Sequence, residues 1–282
     1  MLGIIILNYN TWNESIKCIE SIREHTRTPY RIYLVDNASP VKPSDEELNI
    51  LDTLEYTEII YSSKNDGYAA GNNIGLKKAI SDGCNHFCIC NSDVLFVDDS
   101  LDQMVEALNQ DKSMAIAGPK IFSLDGIFEP LTMVRKKRDI DILRLMALDT
   151  PLRIFLRWFE KKQIIKDEII NKTRVYSVAG SCFVISGYNI NSVYPLDEHT
   201  FLFEEEEIIG ARVRAAGKNI FVIPKTHEIH AHSKSTGAPS RKTYKYMIDS
   251  EQYYLKEYLH TGWFMRNLIL FIRRIRIRSR QH

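Results

Sequence analysis

Three apolar runs in the first hundred residues each end in a polar cluster. Ile4–Ile6 leads into Asn8-Tyr9-Asn10, Ile32–Val35 into Asp36-Asn37-Ala38-Ser39, and Phe87–Cys90 into Asn91-Ser92-Asp93. In an open, mostly parallel sheet, ligands bind outside the carboxyl ends of the strands. Three such ends aim amides and carboxylates at one crevice, and those groups suit a nucleotide, a sugar and a divalent metal. Asp36 closes a buried run, where an ionised carboxylate needs a partner. A ribose hydroxyl or a base N–H would serve. Asn8 and Tyr9 add a donor–acceptor amide and a stacking face. The competing reading is that Asn8 and Asp36 only cap the helices or turns that follow.

Further groups extend the set. Asn65 through Gly75 is rich in small residues, with Gly71 and Asn72 at its centre. Small residues let a backbone approach a ligand closely, and the helix that follows could turn N–H groups toward a phosphate. The same composition also serves tight packing of a helix on a strand. Asn91, Ser92 and Asp93, with diphosphate oxygens, could hold Mg²⁺ or Mn²⁺. His230 and His232 are spaced to project from one side of an extended segment and could add an imidazole; the alternative is a structural or surface pair. Glu204-Glu205-Glu206-Glu207 opens a helix. Acidic residues there favour the helix dipole, but four in a row exceed what a cap requires. Their apolar flanks, Phe201-Leu202-Phe203 and Ile208-Ile209, point to a partly buried acid. Burial raises a carboxyl pKa and makes it a better base near neutral pH.

The elements that must carry these residues alternate. Strands are predicted at 2–7, 31–36, 56–61 and 86–91, with helices near 12–26, 43–53 and 67–82 between them. Continuous apolar strands in this rhythm imply a parallel sheet covered on both faces. A helix follows at 99–110, then short strands at 114–118 and 120–122 around a Gly-Pro break. Residues 139–170 have a helical period interrupted by Pro151. Strand-like 174–186, a helix at 204–216, a strand at 219–223 and a His-bearing loop at 227–233 come next. Helices are expected over 240–260 and 262–280. The predicted organisation is one domain over 1–238, with a donor half (about 1–122), a helical insert (about 135–170) and a catalytic half (about 174–238). A basic helical extension covers 239–282.

Composition bounds the function. The chain of 282 residues is 44% hydrophobic and 26% charged, so it can bury a full core. A net charge of +1 excludes nucleic-acid binding by bulk electrostatics. Five cysteines, at 18, 84, 88, 90 and 182, have no zinc-ribbon spacing and are expected to be buried free thiols in a reducing cytosol. No secretory leader is read in Leu2–Leu7 and no spanning helix is expected. Trp263-Phe264-Met265 and Leu268–Ile272 precede an arginine series, a pattern that suits the headgroup region of a membrane. A helix packed on the domain or on a second copy in a homo-oligomer is the alternative.

The ordered set of motifs resembles the family-2 glycosyltransferases of GT-A fold, in their rhamnosyltransferase-like branch. The matching stretches are Ile5–Asn10, Leu34–Ser39, Asn65–Gly75, Asn91-Ser92-Asp93, Val178–Cys182, Leu196 through Arg212, and His230 through Thr236. The resemblance implies an α/β fold with a Rossmann-like, mostly parallel sheet flanked by helices. It implies that Asp36 contacts the nucleobase with Asn8 and Asn37 nearby, and that Asn65 and Asn72 line the donor pocket. Asp93 takes the place of the last acid of the family's metal motif and His230 that of its late metal histidine. Glu206, with Glu205 second, takes the place of the general base. Asn91 stands where that metal motif has its first acid, and an all-Glu run replaces the usual Glu-Asp-x-Asp. The implied reaction is inverting transfer from a nucleoside diphosphate sugar, dTDP-L-rhamnose or a UDP-hexose, to a glycan or lipid-linked acceptor for a cell-surface polysaccharide. A lapsed transferase that only binds the sugar nucleotide is the non-enzymatic reading.

Overall fold

The computed structural model describes residues 1–129, 132–133, 135–136, 141–142, 171–231 and 240–279. A nine-stranded sheet forms its centre. Strands β1 (Leu2–Asn8), β2 (Tyr30–Asp36), β3 (Thr57–Tyr61) and β4 (His86–Asn91) are all parallel, in the order β3-β2-β1-β4. Beyond β4 the sheet becomes mixed. β8 (Cys182–Ser186) runs antiparallel to both β4 and β6 (Met114–Phe122). β9 (Asn219–His230) is parallel to β6 and antiparallel to β5 (Val94–Phe96) and β7 (Thr173–Val175). The expected parallel character thus belongs to the first four strands and to the β6–β9 pair.

Helices cover both faces. α1 (Trp12–His25) and α4 (Ser100–Gln110) bury Ile16, Ile19 and Ile22, and Leu101, Met104 and Leu108, at helical spacing. With α2 (Asp45–Thr53), which starts on a capping box between Ser44 and Glu47, they close one face around Ile4, Ile6, Ile32 and Leu34. On the other face Ile5, Tyr33, Val35 and Ile89 pack against α3 (Tyr68–Ser81) and α5 (Glu205–Ala215). α6 (Arg241–Glu257) and α7 (Trp263–Ser279) form a satellite core through Leu255, Ile269 and Leu270. All five cysteines are buried and free.

Several elements differ from expectation. β9 runs on to His230, through the first four residues of the segment expected as a His-bearing loop. A register shift opposite Gly118 and Lys120 absorbs Pro224 and lets the ladder continue to Ile229 and His230. The same shift turns the two strands expected over 114–122 into one. The single strand expected over 174–186 is two, separated by residues 176–181. The expected insert at 135–170 lies almost wholly outside the described residues. No helix among the described residues is long and apolar enough to cross a membrane.

Candidate functional site

Register places the first polar groups. β1 and β2 pair Asn8 with Asp36, and β1 and β4 pair Leu7 with Asn91. A cavity of about 390 Å³ opens outside these strand ends. Tyr9, Thr11, Asn37, Asn65, Asn91, Ser92 and Asp93 line its sheet side; Phe201, Lys242, Thr243 and Tyr246 line the other. Phe201 and Tyr246 stack at 4.1 Å. A second cavity, of about 600 Å³, lies at the amino-terminal ends of β1 and β4 and contains none of the expected groups.

The donor side is held by its own hydrogen bonds. Asn8 is fully buried. Its Nδ2 donates to Asp36 Oδ1 at 3.1 Å, and its Oδ1 accepts from Thr11 N, Thr11 Oγ1 and Ser15 Oγ at 3.0–3.2 Å. Expected as a donor contact, Asn8 instead sits behind the crevice, its amide spent on protein partners. Its effect is on Asp36, whose Oδ1 also accepts from Ser39 N. Asp36 Oδ2 is buried and accepts no hydrogen bond from the described residues; the Lys42 ammonium lies 3.8 Å away. Such an oxygen is an acceptor with room for one donor. Asn37 Nδ2 donates to Asn65 Oδ1 and Gly67 O, which fixes the loop ahead of α3. Gly67 has φ +99°, and a Cβ there would stand 2.2 Å from Phe201 O. Gly71 and Asn72 also lie behind the crevice. A Cβ at Gly71 would meet Leu7 at 2.5 Å, and fully buried Asn72 donates back to Tyr68 O. Neither lines the crevice; Gly71 packs on β1, and the Asn72 amide oxygen is buried with no hydrogen-bond partner among the described residues.

Asp93 and His230 meet at the crevice edge, Oδ1 to Nε2 at 3.4 Å. They come together because β5 pairs with β9 directly after Asp93. Burial works against the imidazolium, but the Asp93 carboxylate and then Glu228 outweigh it and raise the His230 pKa. Glu228, two residues earlier on the same strand face, is fully buried and accepts from Ser181 Oγ. Burial raises its carboxyl pKa to about 7. Among the described residues, no group of three or more His, Cys, Asp or Glu could hold a metal. His232 lies outside the described residues.

The candidate base side is built differently. Phe203 and Glu204 are both left-handed, at φ +79° and +67°, immediately before α5. Two consecutive side-chain-bearing residues in that region store strain. Glu205 is buried, and its Oε1 has no hydrogen-bond partner among the described residues. Burial first, and the charge of Glu206 second, push its pKa well above the ordinary carboxyl value. Glu206 is half-buried, and its Oε1 accepts from Gly180 N at 3.0 Å. Gly180 has no side chain because a Cβ would stand 2.8 Å from that oxygen.

Residues 180 and 181 join the two sides. Gly180 O accepts from Tyr68 Oη at 2.6 Å, Ser181 O accepts from Asn91 N at 2.7 Å, and Ser181 Oγ reaches Glu228. Asn73, not singled out from sequence, exchanges hydrogen bonds with both backbone groups of Leu196 and donates to Glu198, holding the chain that leads to α5. Glu228 and Asn73 are positions the sequence reading missed. The alternation Thr226, Glu228, His230 on one strand face was the available signal for the first; Asn73 had none beyond its neighbour Asn72.

The sequence model of Glycosyl transferase family 2 matches residues 3–179. An uncharacterized glycosyltransferase of Bacillus subtilis strain 168, YwdF, is 31% identical over 111 residues, 38% of each chain. A crystal structure of GalNAc-T7 with UDP, GalNAc and Mn²⁺ superposes with a TM-score of 0.64 at 16% identity, over 92% of this chain and 48% of that one. Staphylococcus aureus TarS 1–349 in complex with UDP gives 0.56 at 12% identity, over 95% of this chain and 69% of that one. The chain thus spans less than half the length of the first two. The two superpositions share the GT-A arrangement of a central sheet flanked by helices, as the sequence implied. A family match that starts on β1 and runs through every donor-side cluster to the residue before Gly180, more than half of the chain, makes this protein a member of glycosyl transferase family 2.

Proposed function

We propose that the protein is an inverting glycosyltransferase that uses a nucleoside diphosphate sugar and Mg²⁺ or Mn²⁺. The observation that carries the reading is what meets at the 390 Å³ crevice: Asp93 lines it and pairs with His230, Tyr68 lines it and bonds to Gly180, whose N–H holds Glu206, and an acceptor oxygen of Asp36 lies buried behind the strand ends. Asp36 Oδ2 receives a base N–H or a ribose hydroxyl, with Tyr9 and Tyr61 offering ring faces nearby. One carboxylate oxygen and one imidazole nitrogen suit a Mn²⁺ or Mg²⁺ whose remaining ligands are diphosphate oxygens. Such a cation would offset the charge that grows on the leaving diphosphate. Glu206 removes the acceptor proton. Burial, and after it the charge of Glu206, raise the Glu205 pKa well above the ordinary carboxyl value, which favours the neutral form of Glu205 beside the base. The stacked Phe201–Tyr246 pair across the crevice is a platform for a sugar of the glycan or lipid-linked acceptor.

The motif order supports dTDP-L-rhamnose as donor. The UDP in the GalNAc-T7 and TarS structures supports the second reading, a UDP-hexose. Turnover across a panel of nucleotide sugars, with Mn²⁺, Mg²⁺ or chelator, tests both. One donor consumed in a metal-dependent way, with inversion at the anomeric carbon by NMR, is the expected result. Binding without turnover in the presence of acceptor extracts would favour a lapsed enzyme.

A further inference from the structure

Helix α7 buries one face and leaves another bare. Ile269 and Leu270 pack on Leu255 of α6, and Arg273 reaches the buried Glu251 with two hydrogen bonds, at 2.9 and 2.5 Å. On a different side, Phe264, Leu268, Phe271 and Ile275 succeed one another at intervals of four, three and four, the spacing of one helical stripe. They are 74%, 36%, 61% and 49% exposed, and Trp263 beside them is 72% exposed. Single exposed apolar residues are ordinary, but a continuous aromatic stripe marks a surface that meets something.

Charge selects the partner. From Trp263 onward the sequence contains six arginines, at 266, 273, 274, 276, 278 and 280, and no acid. Arg274 is exposed, adjoins the stripe three residues after Phe271, and also lines a cleft of about 790 Å³ between α6 and α7. Arg241, Lys242 and Lys245 line the same cleft, and Asp249 is the carboxylate among its lining groups. We propose that this face of α7 docks on an anionic lipid surface, with its aromatic residues at the acyl boundary and Arg274 among the headgroup phosphates. A second copy fits less well. Two-fold pairing would set one acid-free helix against another, leaving the arginines with no carboxylate to meet. Helix α6, packed on the other side of α7, supplies Lys242, Thr243 and Tyr246 to the crevice. The docking itself does not depend on the donor or the metal.

Co-sedimentation of the intact chain with vesicles tests the proposal without any sugar nucleotide. The chain should pellet with phosphatidylcholine vesicles containing phosphatidylglycerol, should stay in solution with phosphatidylcholine alone, and should be released by high salt. The double substitution Phe264→Glu with Phe271→Glu should abolish pelleting. Arg274→Gln should weaken it about fivefold. All three substituted side chains are exposed, so circular dichroism should be unchanged. Equal binding to both vesicle types, or binding to neither, overturns the proposal. So does a dimer in sedimentation velocity that Phe271→Glu dissociates, because the stripe is then a self-interface.

Discussion

The two sides of the crevice are stabilised in opposite ways. On the donor side, Asn8, Asn37, Asn65 and Ser39 bond to one another and to backbone, and an Asp36 oxygen and the Asn72 amide oxygen are left over among the described residues. On the base side, carboxylates are packed together with too few donors. Glu205 has an unpartnered buried oxygen, burial and the Glu206 charge raise its pKa, and the backbone at Phe203 and Glu204 is left-handed. The contrast suggests that one side is a rigid mould, built to select a ligand, and that the other keeps charge destabilised until a substrate proton arrives. Substitutions on the two sides should therefore separate kinetically, the first in KM and the second in kcat.

The largest expected effect is on the base side. Glu206→Gln should lower kcat by about 10³-fold with donor affinity unchanged, the range of a lost general base; a change confined to KM would merge the two sides. Next is the close contact between the loop ahead of α3 and Phe201. Gly67→Ala should cost about 3 kcal/mol in urea unfolding, because φ +99° is strained for alanine and Phe201 O occupies the Cβ position.

Glu228 gives a comparable effect that depends on pH. Its folded pKa of about 7 lies above the ordinary 4.5, so the folded state holds this proton more tightly than the unfolded one. Its stabilising contribution is complete below about pH 4.5 and is lost as pH rises through about 7, a span of about 3 kcal/mol. Relative to the wild type, Glu228→Gln should gain stability across that window in chelator-treated buffer. Parallel curves for the two proteins would show that Glu228 titrates normally. The smallest effect belongs to the mould: Asp36→Asn should weaken donor binding by about 10- to 100-fold with kcat little changed, the worth of one charged hydrogen bond.

The donor side was legible because its signal is local. A polar residue at the end of an apolar strand announces itself, and strand pairing then brings Asn8, Asp36 and Asn91 together. Their division of labour was not legible. Whether Asn8 faces a ligand or Asp36 depends on Thr11 and Ser15, which approach from the next helix turn. On the base side the run of glutamates marked the start of α5, but Gly180 and Asn73 act across about 26 and 123 residues of chain. Periodicity within one element cannot report such contacts. The extension of β9 was hidden by Pro224, a residue that ordinarily ends a strand; here the register shift opposite Gly118 and Lys120 accommodates it.

The central claim is that the crevice takes a nucleoside diphosphate on Asp36 and a divalent cation on Asp93 and His230. Calorimetric titration of UDP and dTDP, with and without Mn²⁺, tests it most directly, using the wild type, Asp36→Asn and the double variant Asp93→Asn with His230→Ala. The account predicts tight binding only with Mn²⁺, weakened by Asp36→Asn and made insensitive to Mn²⁺ in the double variant. Binding of equal strength in all three proteins, or none in any, would contradict it.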